Sequence, residues 1–162
     1  MNTGTIFLAQ SREYLTAHYL PKILSATDPL SDTDIWWRPN ENSNSVGNLL
    51  LHLAGNITQW IVGGVGGIPG DRNRPAEFAQ REPVTKVALL AHFTKAVLAA
   101  DVVIGQTVAT SLAEPRTIQG RDVTVFSAIY HVIEHFSMHA GQILYIAKLR
   151  SGKDLGFYRV QD

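Results

Sequence analysis

Three histidines, His131, His135 and His139, stand four residues apart in the stretch AIYHVIEHFSMHAGQILYIAKL, Ala128 to Leu149. An imidazole offers a neutral nitrogen donor, and two of them at i and i+4 on a helix are a common way to hold a transition metal. The spacing admits a second reading, in which they are core-edge histidines satisfied by hydrogen-bond partners. There is no HExxH, so a zincin-like protease is not indicated. Glu134 adjoins His135 in sequence but projects roughly 100° away from it on a helix. A third metal ligand must therefore come from elsewhere in the chain.

The element that positions these residues reads as a long amphipathic helix, because it lacks proline and its aliphatic residues recur at helical spacing. Counted from His135, one narrow face carries Ala128, His131, His139, Gln142 and Ile146. The apolar face beside it holds Val125, Ile129, Val132, Phe136, Ala140, Ile143 and Ala147. The histidines thus sit at the rim of the core. Asp122 is the expected cap, and Gly152, following Lys148 and Arg150, the expected stop.

A second helix is expected from Ser45, a natural N-cap, to about Val62. Its core stripe is Leu49, Leu53, Ile57 and Trp60, and beside it run Asn48, His52, Asn56 and Gln59. The far side holds Leu51, Ala54, Gly55, Thr58 and Val62, so the polar stripe lies between two apolar sides. Such a helix is buried all round, and its stripe faces an internal polar site with His52 at the centre. The outer strip, Leu51 to Val62, is either a homodimer contact or a surface covered by the glycine-rich segment that follows.

A first helix is expected from Thr3 to about Leu24, with the stripe Ile6, Phe7, Tyr14, Leu15, Tyr19 and Leu20, kinked or shortened by Pro21. A third is expected from Lys86 to about Ser111, capped by Thr85. His18 reads as an ordinary polar or boundary histidine, and His92, with no partner at helical spacing, as structural or exposed. The connection 26–44 contains Trp36 and Trp37, expected to cover one end of the core or to line a pocket mouth. The connection 63–85 opens with five glycines in eight residues, without the GK[ST] or preceding strand of a phosphate loop. Its Arg72, Arg74 and Arg81 are either paired with Asp71, Glu77 and Glu82 or form an anion-recognising rim. In the tail, Phe157 and Tyr158 are expected to pack back. No strong strand pattern appears. Four long helices in one chain suit an all-α four-helix bundle, in which metal sites are built from facing helices.

At 162 residues the chain is most simply one domain, residues 1–162. Fourteen basic and fourteen acidic residues cancel, so nothing favours a general grip on nucleic acid or anionic lipid. With no cysteine, the chain has neither disulfides, nor a thiolate metal site, nor a cysteine nucleophile. No signal peptide and no uninterrupted membrane-length apolar run is read, and a cytoplasmic location is expected.

Three segments carry a family resemblance: WRPNENSNSVGNLLLHLAGNI (Trp37 to Ile57), the run GGIPGDRNRPAEF (Gly66 to Phe78), and HVIEHFSMHAGQI (His131 to Ile143). Together they resemble the DinB-like superfamily, in a branch related to bacillithiol transferases. The resemblance implies an up-down-down-up bundle and a divalent metal ion, usually nickel or zinc, on three histidines. One comes from the second helix and two from the fourth, which map onto His52, His135 and His139, with His131 outside the ligand set. Active members work with low-molecular-weight thiols, as thiol S-transferases or a mycothiol-dependent maleylpyruvate isomerase. The resemblance thus implies a metal-dependent transferase acting with a small-molecule thiol on an electrophile. The alternatives are a metal-dependent hydrolase using metal-bound water and a non-catalytic metal- or ligand-binding protein. Since the chain supplies no sulfur, a thiolate ligand must come from a cofactor or substrate, and Arg72, Arg74 and Arg81 are the candidates to meet its carboxylates. Asn56 and Gln142, on the histidine faces, are expected to border the site.

Overall fold

The computed structural model describes residues 2–81 and 83–157. Glu82 and Tyr158, named above as a pairing and a packing residue, lie outside the described residues. The first rod is α1 (Thr3–Glu13), a π-helical stretch (Tyr14–Tyr19) and α2 (Leu20–Thr27). The Asn2 side chain caps it by accepting from the Thr5 N–H at 2.9 Å. The expected kink at Pro21 is replaced by this wide turn just before it, in which the Leu20 N–H reaches the Leu15 carbonyl five residues back. The wider turn also shifts the buried stripe. Leu8, Leu15, Leu20 and Ile23 are buried, with a five-residue step across the π turn, whereas Ile6 and Tyr14 face outward.

A five-residue helix, α3 (Asp32–Trp36), starts on a Ser31–Asp34 capping box. It carries Trp36 into the core, where Nε1 donates to the Val84 carbonyl at 2.9 Å. Gly47 makes room for that indole, since a Cβ there would lie 2.9 Å from the ring. Trp36 therefore covers one end of the core as expected. α4 (Val46–Ile57) continues as a second π-helical stretch (Thr58–Val65) and so runs past Val62. Ser45 caps it with Asn48 in a reciprocal capping box. The long connection after it contains a short helix, α5 (Arg74–Ala79), where the sequence predicts only a connection.

α6 (Lys86–Gln106) is capped by Thr85 and ends at Gln106 rather than Ser111, giving way to a 3-10 turn at Ala109–Ala113. A hairpin, β1 (Pro115–Ile118) and β2 (Arg121–Thr124), follows, where only a connection was expected. Its two turn residues, Gln119 and Gly120, both have positive φ (55° and 71°), which the right-handed twist of the strands favours. Four-residue strands give too little alternation to recognise from sequence. Asp122 is a strand residue that accepts from the Thr117 hydroxyl, so Thr124, not Asp122, caps α7 (Val125–Ser151). Gly152 stops α7 in the left-handed conformation, with φ 65°.

The rods form an up-down-down-up bundle. Phe7 meets Phe126, Tyr19 meets Phe136 and Asp34 meets Arg150, so the first rod runs parallel to α7. Arg12 pairs with Asp101 while Lys86 bonds the Asp28 and Leu30 carbonyls, so the first rod and α6 are antiparallel. His52 meets His139 and Asn56 meets His131, so α4 runs against α7. One hydrophobic cluster draws residues from all four rods. By length and composition α6 is apolar enough to cross a membrane, although no uninterrupted apolar run was read there. In this fold its inner face, Leu89, Phe93, Val97, Ala100 and Ile104, is core.

Candidate metal centre

Because α4 and α7 are antiparallel neighbours, the polar stripe of one faces the histidine stripe of the other. His52 comes from α4, His135 and His139 from α7, and one nitrogen of each lies within 4.8 Å of the others. His52 and His139 are buried and His135 is half-buried. The rings meet edge to face, with interplanar angles of 68°, 87° and 86°. This brings together the three histidines taken from the sequence, among the described residues and without a carboxylate in the cluster.

Hydrogen bonds behind the rings set the tautomers. Glu77 Oε2 lies 2.9 Å from His52 Nδ1. A carboxylate only accepts, so Nδ1 carries the proton and Nε2 the lone pair. Arg72 NH2 also comes within 3.1 Å of that Nδ1, but both are donors, and the approach reflects their shared partner Glu77. His139 Nδ1 donates to Gln142 Oε1 at 2.7 Å, which leaves its Nε2 with a lone pair. His135 Nε2 lies 2.8 Å from His52 Nε2, so a single proton there is shared from His135 to His52.

The charge state follows from burial. Burial, reinforced by the surrounding imidazoles, pushes His135 down to about 3. Burial lowers His139 and His131 as well. Burial alone would raise Glu77, but hydrogen bonds from Arg72 and His52 outweigh it and hold the carboxyl below its ordinary value. The result is that the α7 imidazoles favour the neutral form beside a carboxylate held ionised. These residues fit a divalent cation: three imidazole nitrogens converge, two of the rings are oriented from behind, and a cation would displace the proton between His135 and His52; a three-histidine set also leaves a coordination position for another ligand.

From the sequence Glu77 is expected only as a salt-bridge partner for the arginines. It does pair with Arg72, through Nε at 2.6 Å and NH2 at 2.8 Å, and the pair lies almost wholly out of solvent. Arg72 also donates to Gln59 Oε1 at 2.9 Å. Gly55 makes this possible, because a Cβ there would run into the Glu77 carboxylate and come 2.8 Å from Arg72 Nε. Asn48 Nδ2 holds the same segment by donating to the Glu77 and Gln80 carbonyls, at 2.9 and 3.2 Å. The available signals were a glycine inside a helix, which costs about 1 kcal/mol against alanine, and an acid five residues after an arginine.

The structure places Arg72 behind His52. Arg74 lies over the Phe78 ring at 5.1 Å, and Phe78 in turn packs on His52 at 4.6 Å. Arg81 donates to the Phe78 and Gln80 carbonyls. Asn56 reaches His131 at 3.4 Å rather than the three converging histidines, and its Oδ1 and Trp60 Nε1 are buried without partners among the described residues. The loop 70–80 folds over part of the outer strip of α4, leaving a cavity of about 380 Å³ beside Leu51, Ala54 and Thr58. That cavity lies on the Glu77 side of His52, away from the converging Nε2 atoms. A second groove, of about 330 Å³, lies between Trp37 and the Gln142–Leu149 end of α7.

The sequence matches the family DUF1572, described as a protein of unknown function, over residues 2–160. No curated protein matches the chain. The fold is similar to the crystal structure of a DinB-like protein from Bacillus cereus ATCC 10987, with a TM-score of 0.68. The two are 17% identical, and the superposition covers 93% of this chain and 95% of that one.

Proposed function

This chain belongs to the DUF1572 family, a DinB-like family, and on that footing we propose that it is a cytoplasmic metal-dependent transferase acting with a low-molecular-weight thiol. The observation that carries the reading is the convergence of His52, His135 and His139, with donor nitrogens within 4.8 Å and two rings oriented by Glu77 and Gln142. The divalent ion, nickel or zinc in this proposal, supplies positive charge that favours the thiolate form of a coordinated thiol. The chain's residues do the rest. Glu77 and Gln142 fix the orientation of the His52 and His139 rings, and burial disfavours protonation of His135 and His139. Arg72 stabilises the ionised state of Glu77. Arg74, exposed on the adjoining segment, is the candidate to meet a carboxylate on the thiol, with Arg72 supporting from behind. Sulfur transfer is favoured over hydrolysis because Glu77, the carboxylate that reaches the cluster, is engaged by His52 Nδ1 and Arg72 instead of being free to act as a general base.

The experiment loads the purified protein with cobalt and titrates bacillithiol, mycothiol, glutathione and cysteine. The expected result is about one ion per chain and a sulfur-to-cobalt charge-transfer band with at least one thiol. His52→Ala and His135→Ala abolish metal binding, and His131→Ala does not. No band with any thiol, while azide still binds, favours the hydrolase. A homodimer is also proposed, and a light-scattering mass near the 17.8 kDa of one chain overturns it.

A further inference from the structure

We infer that the groove continuing the α4–α7 seam past His139 binds a neutral, largely apolar small molecule, the electrophile of the proposed reaction. This rests on the transferase reading for the word electrophile, but not for the binding. The groove holds about 330 Å³, roughly twice a cavity that accommodates benzene. Its walls are Trp37, Pro39 and the short polar side chains of residues 42–44 on one side, and Leu49, Gln142, Tyr145, Ile146 and Leu149 on the other.

Position ties the groove to the histidines. Leu49 precedes His52 by three residues on α4, and Gln142 follows His139 by three on α7. The helices are antiparallel, so both steps lead the same way, and the groove begins about one helical turn, roughly 5 Å, beyond the converging nitrogens. Gln142 belongs to both places. Its Oε1 accepts from His139, which turns its amide N–H donors away from that ring, and they have no partner among the described residues. A carbonyl or nitro oxygen in the groove can take those donors.

Chemistry of the walls sets the ligand class. None of the lining side chains carries a charge at neutral pH. A charged ligand would lose water there without gaining an opposite charge, whereas an apolar one gains by burial. Tyr145 and Leu149 are 70% and 56% exposed, an apolar surface with no protein cover among the described residues. Trp37 is held in place from outside the groove. Arg150 lies over its ring at 4.9 Å and is itself fixed by Asp34 at 2.6 Å. An aromatic wall that is already immobilised loses little entropy when a flat ligand stacks on it.

The test uses metal-free protein and tryptophan fluorescence, with 4-nitrobenzamide as neutral probe and 4-nitrobenzoate as its anionic counterpart. Trp37 is the half-buried tryptophan, while Trp36 and Trp60 are buried. The expected result is saturable quenching by the amide and at least about tenfold weaker binding of the benzoate. Leu149→Glu and Tyr145→Ala, both at exposed positions, should each weaken the amide by about tenfold or more. Equal binding of the two probes, or amide affinity unchanged in both variants, overturns the inference. Metal uptake is titrated separately on the unsubstituted protein. Amide binding without metal uptake sinks the transferase reading and leaves the groove standing, whereas metal uptake without amide binding does the reverse.

Discussion

Replacing Glu77 with alanine removes the acceptor for His52 Nδ1 and both acceptors facing Arg72 at once. The Arg72 side chain is only 7% exposed, so its charge is stranded rather than rehydrated. Removing one partner of a buried pair costs about 3–5 kcal/mol. Gln59 Oε1 and the His52 carbonyl still accept from Arg72, which places the loss toward the lower end, near 3 kcal/mol. For a chain of this size that is a fall of about 6–12 °C in Tm, measured on metal-free protein by thermal denaturation. His52 is then free to turn or to exchange tautomers, and loss of such a supporting partner weakens metal binding about 10–100-fold. Zinc affinity is read by competition with a chromophoric chelator. Glu77→Gln keeps an acceptor but no charge and should fall between alanine and wild type. The double variant Glu77→Ala with Arg72→Met should recover part of the stability, because no stranded cation remains, but not the metal affinity. If Glu77→Ala melts within about 2 °C of wild type and binds zinc equally well, the buried pair is not what holds His52.

Gly55→Ala should be destabilising even though alanine is the better helix former by about 1 kcal/mol, because its Cβ displaces the Glu77 carboxylate; a rise in Tm refutes the packing argument. Gln142→Leu, at an exposed position, should leave the circular dichroism unchanged and weaken zinc binding about tenfold or more, and unchanged affinity removes Gln142 from the support of His139. Asp34 is held below its ordinary carboxyl value, first by the Ser31 hydroxyl and then by Arg150, so folding favours its ionised form. Its contribution is therefore present above the ordinary value of 3.8 and is lost as pH falls below it toward the folded value. Asp34→Asn should be less stable than wild type above pH 4, with the gap closing in more acidic urea titrations, and a gap that persists at low pH shows that charge is not the cause.

Much of this protein is set by local order in the chain. Ser45 and Thr85 cap helices because their side chains take a neighbouring N–H three residues on, and Gly152 stops α7 because it tolerates the left-handed turn. Helical periodicity puts His135 and His139 on one face and His52 in the middle of a polar stripe with an apolar strip on each side, which a buried helix must turn inward. These readings need no knowledge of what lies across the bundle. Glu77 does need it. It lies 25 residues from His52, on a loop whose path is decided by Asn48, Gly55 and Arg72 together, and nothing in the local pattern distinguishes its salt bridge from a surface one. The π turn before Pro21 and the hairpin at 115–124 are equally tertiary in origin. The first keeps the rod against α6 and α7 despite a missing donor, and the second seats Ile118 over Gly64. The groove beside Gln142 exists only because α7 and the Trp37 loop meet there, a juxtaposition of residues about a hundred positions apart, while periodicity speaks only for neighbours within a few turns.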